Sequence, residues 1–219
     1  DILGVTTYTP QKGFETIKGP IFANFIVADE INRSPPKTQS AMIEAMQEKQ
    51  VTISKQTYPL PKPFFVMANN NPLEQSGVYE LPEAQVDRFL FKVLINYPKM
   101  GEEVKIMENN TTLKEFSSFN IKPILSPSKI IQMQEITKNI YMDEKIKDYI
   151  LSIVFASRYP EKYGLPELKG MIAVGGSPRA TIFLVKAARA NAFLSHRGFV
   201  TPEDIKSVVF DVLRHRILV

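Results

Sequence analysis

Four consecutive apolar residues, Phe25-Ile26-Val27-Ala28, run straight into two acids, Asp29 and Glu30. An apolar run this short suits a strand buried in an α/β sheet, where helices cover the faces. Acids directly after it then sit at the strand's carboxyl end, the edge at which open α/β sheets gather their ligands. The same punctuation continues downstream. Pro35 and Pro36 open a helix over about Pro36 to Glu48, since a first-turn N–H has no helical partner to lose. Val51 to Ser54 and Gln56 to Leu60 read as a hairpin, stopped by Pro61 and Pro63 before a second buried strand, Phe64 to Ala68. Asn69, Asn70, Asn71 and Pro72 end that strand. A helix over about Pro82 to Phe89, a third strand from Phe91 to Ile95 and a helix near Glu102 to Glu108 complete this half.

Beyond the polar run Asn109 to Lys122 the period changes. Ser126-Pro127 starts a helix, and further helical patterns cover roughly Asp143 to Ser157, Pro178 to Ser195 and Pro202 to Leu213. Thr201-Pro202-Glu203-Asp204 joins a capping Thr, a Pro at the first helical position and acids near the positive helix end. The organisation expected is an α/β core over 1–110, a connector over 111–125 and an all-α subdomain over 126–219.

Composition sets outer bounds. The 219 residues carry 44% apolar and 23% charged side chains, which is ordinary globular composition with enough chain to bury a core. The net charge of +4 comes from 27 basic and 23 acidic residues interspersed along the chain, so no basic block marks a nucleic-acid footprint. There is no Cys, which removes disulfides and thiolate metal sites and fits a reducing, cytoplasmic setting. The apolar runs are too short for a membrane span.

Phe25 to Glu30 has the form of a Walker B motif. The first acid of such a pair holds Mg²⁺ through water, and the second accepts a proton from the water attacking a γ-phosphate. A strand ending in Asp-Glu is also a common solvated turn, so the flanking residues decide. Gly19-Pro20-Ile21-Phe22-Ala23-Asn24 leads in, and Ile31-Asn32-Arg33-Ser34-Pro35-Pro36-Lys37-Thr38-Gln39 follows. With Ser40 to Glu48, Asn71-Pro72, Leu81-Pro82-Glu83-Ala84-Gln85-Val86-Asp87-Arg88-Phe89 and Gly176-Ser177-Pro178-Arg179-Ala180, the chain resembles the MoxR family of AAA+ ATPases, in the family's order and over nearly its whole length.

The resemblance implies a P-loop NTPase (AAA+) parallel-sheet core lacking its N-terminal strands, followed by an α-helical lid. It implies ATP and Mg²⁺ as cofactors, Asp29 organising the metal and Glu30 as general base. Asn71 would be the sensor that holds the attacking water or γ-phosphate, although the run Asn69-Asn70-Asn71 leaves the exact position open; turn-forming amides explain the same residues. Arg88 would be an arginine finger reaching the nucleotide of an adjacent subunit, the alternative being a local Asp87-Arg88 surface pair. Arg179, after a capping Ser177-Pro178 start, resembles the second sensor; a cation at the positive end of a helix requires a nearby anion. Gly175 and Gly176 fit a tight, mobile hinge there.

A phosphate-binding loop ends in Gly-Lys-Ser/Thr, and none of the ten Gly residues is followed by Lys. The family places that loop before the Walker B strand, so the expectation is that it precedes Asp1 and that this chain alone is inactive. The family's sheet also inserts its loop-bearing strand between those ending at Asn71 and at Ile95, so these two should flank a gap. Asp1 to Lys18 resembles the hairpin inserted in helix 2 of this clade. The implied partners are further copies in a ring, with six the expected number, a von Willebrand factor A domain protein and a client protein complex to be remodelled or matured; the competing readings are a DNA-acting motor of the same helix-2-insert clade and a non-catalytic interaction module lacking the phosphate loop. His196, His215, Arg189, Arg197, Arg214 and Arg216 read as solvated basic surface.

Overall fold

The computed structural model describes residues 2–11, 13–71, 77–110 and 119–219. Pro72 and the greater part of the expected connector, 111–118, lie outside the described residues, as do Asp1 and Lys12 of the N-terminal segment.

The chain opens with an antiparallel hairpin, β1 (Gly4–Thr9) and β2 (Gly13–Lys18), paired from Gly4 opposite Lys18 to Thr9 opposite Gly13. Its base is closed by backbone: a Cβ on Gly19 would lie 2.3 Å from the Ile2 carbonyl oxygen, so only glycine lets the strands meet. The central unit is β3 (Phe25–Ala28) beside β6 (Phe65–Ala68), parallel, with Phe25 opposite Phe65 and Ala28 opposite Ala68. Parallel neighbours need a crossover, and α1 (Pro36–Glu48) supplies it together with the hairpin β4 (Gln50–Ile53) and β5 (Gln56–Pro59). That hairpin turns through Ser54 and Lys55, both at positive φ, the conformation that matches the right-handed twist of a two-residue turn. Ile21, Met42, Ala45, Val51 and Leu60 form the buried cluster of this half, with Ile26, Ala28 and Val66 packed against it.

The structure departs from the expected elements in four places. β3 and β6 are covered on one face only: Phe25 and Val27 are 57% and 65% exposed, because burial on both faces needs helices on both, and among the described residues α1 covers one. Phe91 to Ile95 forms no strand. A strand exists through the neighbour it bonds to, and no described strand lies alongside; the Lys92 N–H bonds instead to the Asp211 carbonyl at 2.8 Å. The helix expected to reach Phe89 is shorter, α2 (Glu83–Val86), continuing as hydrogen-bonded turns through Phe89. The next helix is longer than expected, α3 (Met100–Asn110).

The rest is helical: α4 (Pro127–Lys138), α5 (Glu144–Arg158), α6 (Pro178–Leu194) and α7 (Pro202–Leu213). Ser126 caps α4, Asp143 caps α5 and Ser177 caps α6 through their side chains. α6 buries Ala180, Ala187, Ala188 and Ala192, whose small side chains let its neighbours approach, and Ile150, Val154, Leu184, Ile205 and Val212 fill the space between. Asp204 staples α7 to α6. It receives Arg197 Nη1, Asn191 Nδ2 and the Thr201 N–H, each at 2.8 Å. Burial alone would raise its carboxyl; the Arg197 fork and the other donors outweigh this and hold it at about 2. Arg197 is therefore a structural donor and not solvated surface.

Candidate functional site

Asp29 and Glu30 stand at the carboxyl end of β3, and Asn69 stands at the carboxyl end of the adjacent β6. The backbone zips the two ends together: the Asn69 N–H donates to the Ala28 carbonyl at 3.1 Å and the Ile31 N–H to the Asn69 carbonyl at 3.1 Å. The Asn69 side chain then uses both its ends. Its Nδ2 donates to Asp29 Oδ1 at 2.5 Å, and its Oδ1 accepts the Glu30 N–H at 2.5 Å. Asn69, one of the trio left open by the sequence, is thus bonded to both acids. Asn71, two residues further on, is half-buried.

Glu30 occupies the left-handed region, φ 47° and ψ 55°, which costs a non-glycine residue about 1 kcal/mol or more. The Asn69 bond to its N–H holds it there, and Arg33 Nε lies 3.1 Å from its Oε2. Behind it, the buried Gln39 donates through Nε2 to the carbonyls of Ile31 at 3.1 Å and Tyr79 at 2.8 Å, while the Tyr79 N–H donates to the Asn32 carbonyl at 2.6 Å. Gln39 so ties the segment after Glu30 to the segment before α2, a link across 40 residues that helix periodicity alone does not announce.

Arg88 lies elsewhere. Its Nη1 donates to Gln47 Oε1 in the last turn of α1, and Gln85 Nε2 lies 3.5 Å from Ser40 Oγ, so the stretch from α2 to Arg88 runs along that helix. Glu30 precedes the first turn of α1. From Pro36 to Gln47 the axial rise is roughly 16 Å at 1.5 Å per residue, so one helix separates the cation from the acids. Arg88 borders an open polar groove of about 580 Å³ with Glu44, Gln47 and Glu48, and its Nε is buried without a partner among the described residues.

The anion that Arg179 requires at the positive end of α6 is Asp87, whose Oδ2 lies 3.1 Å from Arg179 Nη1. Ser177 Oγ donates to the same carboxylate at 3.0 Å while accepting the Arg179 N–H at 3.2 Å. Asp87 is therefore not a local surface pair with Arg88. Gly175 makes a tight approach to α5, since a Cβ there would lie 2.6 Å from the Ser157 carbonyl oxygen. Arg216 completes the cluster, with Nε 2.9 Å from Asp87 Oδ1. His215 Nε2 faces the Phe89 carbonyl at 3.1 Å, and burial beside Arg216 pushes its pKa down to about 4, so it is neutral at pH 7 and donates through Nε2. Both residues are buried, 6% and 4% exposed, which corrects their reading as solvated surface. Their alternation with Arg214 in a basic stretch hid them.

The donor set fits a nucleotide-bound Mg²⁺. The described residues contain no cluster of three or more acids and histidines able to cage a metal alone. Mg²⁺ characteristically takes one or two carboxylates and completes its shell with water and phosphate, which Asp29 at an exposed sheet edge permits. No helix among the described residues is long and apolar enough to cross a membrane.

Comparison with known proteins identifies the family. Residues 1–91 match the ATPase family associated with various cellular activities (AAA), and residues 168–218 match the AAA lid domain. Chaperone MoxR1 of Mycobacterium tuberculosis is 44% identical over the whole chain, which covers 57% of that protein. The uncharacterized protein YeaC of Bacillus subtilis is 41% identical over the whole chain, which covers 65% of it. A crystal structure of a Cytophaga hutchinsonii protein assigned as an ATPase superposes with a TM-score of 0.89 at 45% identity, covering all of this chain and 66% of that one. The chain thus spans about three fifths of its relatives' length and carries, in order, the parallel strand pair with Asp29 and Glu30 at its carboxyl edge, the Asp87-Arg88 segment and the helical lid: it belongs to the MoxR family of AAA+ ATPases.

Proposed function

We propose that this chain supplies the hydrolytic acids and the trans-acting arginine of an ATP-hydrolysing, chaperone-like ring that remodels client protein complexes. The observation that carries the reading is the separation of its parts. The acids lie before the first turn of α1 and Arg88 lies beside its last, so one copy does not bring them together and a neighbouring copy completes each site.

Asp29 would hold Mg²⁺ through water, with Asn69 Nδ2 fixing the carboxylate's orientation. Bound Mg²⁺ would neutralise charge on the phosphate oxygens. Glu30 would accept the proton of the attacking water; its left-handed backbone, fixed by Asn69, sets the direction of its carboxylate. Asn71 remains in the proposal as the amide facing that water or the γ-phosphate. Arg88 would present a planar, permanently charged fork to the neighbour's transferred phosphoryl group. Arg179, paired with Asp87, the residue next to Arg88, would sense bound nucleotide and pass its state to the lid.

In the full-length protein, Glu30→Gln is expected to lower ATP turnover at least 10²-fold while nucleotide affinity changes little, because the change removes the base and keeps its shape. Steady-state turnover and equilibrium binding of a fluorescent ATP analogue separate the two quantities. Turnover at the parental rate would remove Glu30 from the chemistry.

A further inference from the structure

Arg216 is a cation with a fully buried side chain just past the end of α7, and its donors go to the segment 87–90 and to the Val212 carbonyl in the last turn of α7. Nε donates to Asp87 Oδ1 at 2.9 Å and Nη2 to the Asp87 carbonyl at 2.8 Å. Nη2 also reaches the Phe89 carbonyl, and Nη1 reaches the Leu90 carbonyl at 3.3 Å and the Val212 carbonyl of α7. The guanidinium carbon lies 4.8 Å from the centre of the Phe183 ring of α6. These acceptors bracket Arg88 on both sides, at 87 before it and at 89 and 90 after it. The Arg88 side chain leaves in another direction, toward Gln47 of α1.

We infer that Arg216 is a positioning residue for Arg88: its fork locks the backbone around Arg88 to the lid, so that the lid and the finger move as one body. The inference rests on the finger reading above. Lid-wide stability does not require such a residue, since a buried ion pair is commonly matched by apolar side chains of similar volume. Geometry does require it. A charged fork placed even about 1 Å from its target loses on the order of 10²-fold in rate, and three carbonyls with a carboxylate, read by one planar guanidinium, fix a backbone segment more closely than packing does. Lysine at this position keeps the charge and loses the fork. Ser177 and Arg179 share the Asp87 carboxylate, so the start of α6 belongs to the same body.

The test is a double-mutant cycle on ATP turnover in the assembled full-length protein, with Arg216→Lys, Arg88→Ala and both together. Arg216→Lys alone is expected to lower kcat about 10- to 100-fold with KM for ATP within about 3-fold. In the Arg88→Ala background it is expected to add nothing, because the residue it positions is gone. Equal fold-losses in both backgrounds would overturn the inference, since the residue would then act independently of Arg88. So would parental turnover of Arg216→Lys while Arg88→Ala is impaired. If Arg88→Ala itself turns over at the parental rate, the finger reading falls and the inference with it, a result distinct from both others. Should Arg216→Lys not assemble, Asp87→Asn, which keeps the shape and removes the shared carboxylate, is read by the same cycle with the same outcomes.

Discussion

Asn69 shows how much one amide can organise. It spends its donor on Asp29 and its acceptor on the Glu30 N–H, and so sets the spacing of the two acids on which the proposed chemistry depends. A hydrogen bond to a charged group is worth about 1.5–3 kcal/mol, which corresponds to roughly 10- to 100-fold in rate where the bond holds a reacting group. Asn69→Ala is accordingly expected to lower turnover by that factor and to raise the Mg²⁺ concentration needed for half-maximal rate. Asn70, exposed beside it, serves as the control: Asn70→Ala should stay within about 2-fold of the parent. Equal losses for the two variants in a magnesium titration would contradict the assignment. The acids themselves were legible from the sequence, because a short apolar run announces its strand and the strand announces its exit. Which of three consecutive amides touches them was not legible. That depends on strand register: β6 ends at Ala68 opposite Ala28, which sets Asn69 beside Asp29.

At the scale of elements, the boundary that matters is where the segment 87–90 meets the lid. Local signals read well within elements: Thr201 and Asp204 form the capping box that their spacing indicates, and α7 runs from Pro202 to Leu213 as expected. Contacts between elements read poorly. Asp87 finds Ser177, Arg179 and Arg216 at separations of 90 to 129 residues, and no local pattern encodes such pairs. Phe91 to Ile95 failed as a strand for a related reason, because an apolar run states a propensity while a sheet needs a neighbour. His215 gives this junction a pH dependence. Its folded pKa, about 4, lies below the ordinary value of 6.5, so between these values the unfolded chain binds a proton that the folded chain refuses. Stability is complete above pH 6.5 and declines as pH falls toward 4, by up to about 3 kcal/mol at the shift's full size. His215→Gln, which does not titrate, should flatten thermal stability against pH across that window relative to the parent. An unchanged slope would show that His215 is not the group responsible. Asp204 acts in a separate window, from about 3.8 down to about 2, so the two contributions are separable.

At the scale of the whole molecule, the acid pair and Arg88 lie at opposite ends of α1, and apolar residues of β3, β6 and Phe91 to Ile95 remain exposed in the described residues. The parallel pair and helical lid expected of the family are present, and family membership follows from the matched residues and relatives together. If Glu30 and Arg88 serve one reaction from different copies, mixed assemblies reveal it. Full-length Glu30→Gln and Arg88→Ala subunits, each impaired alone, are co-assembled, the mixing is verified by mass, and ATP turnover is measured. Partial recovery of turnover is expected, because some sites then join an intact Glu30 to a neighbour's intact Arg88. Turnover no higher than that of either variant alone, in assemblies shown to contain both, would contradict it.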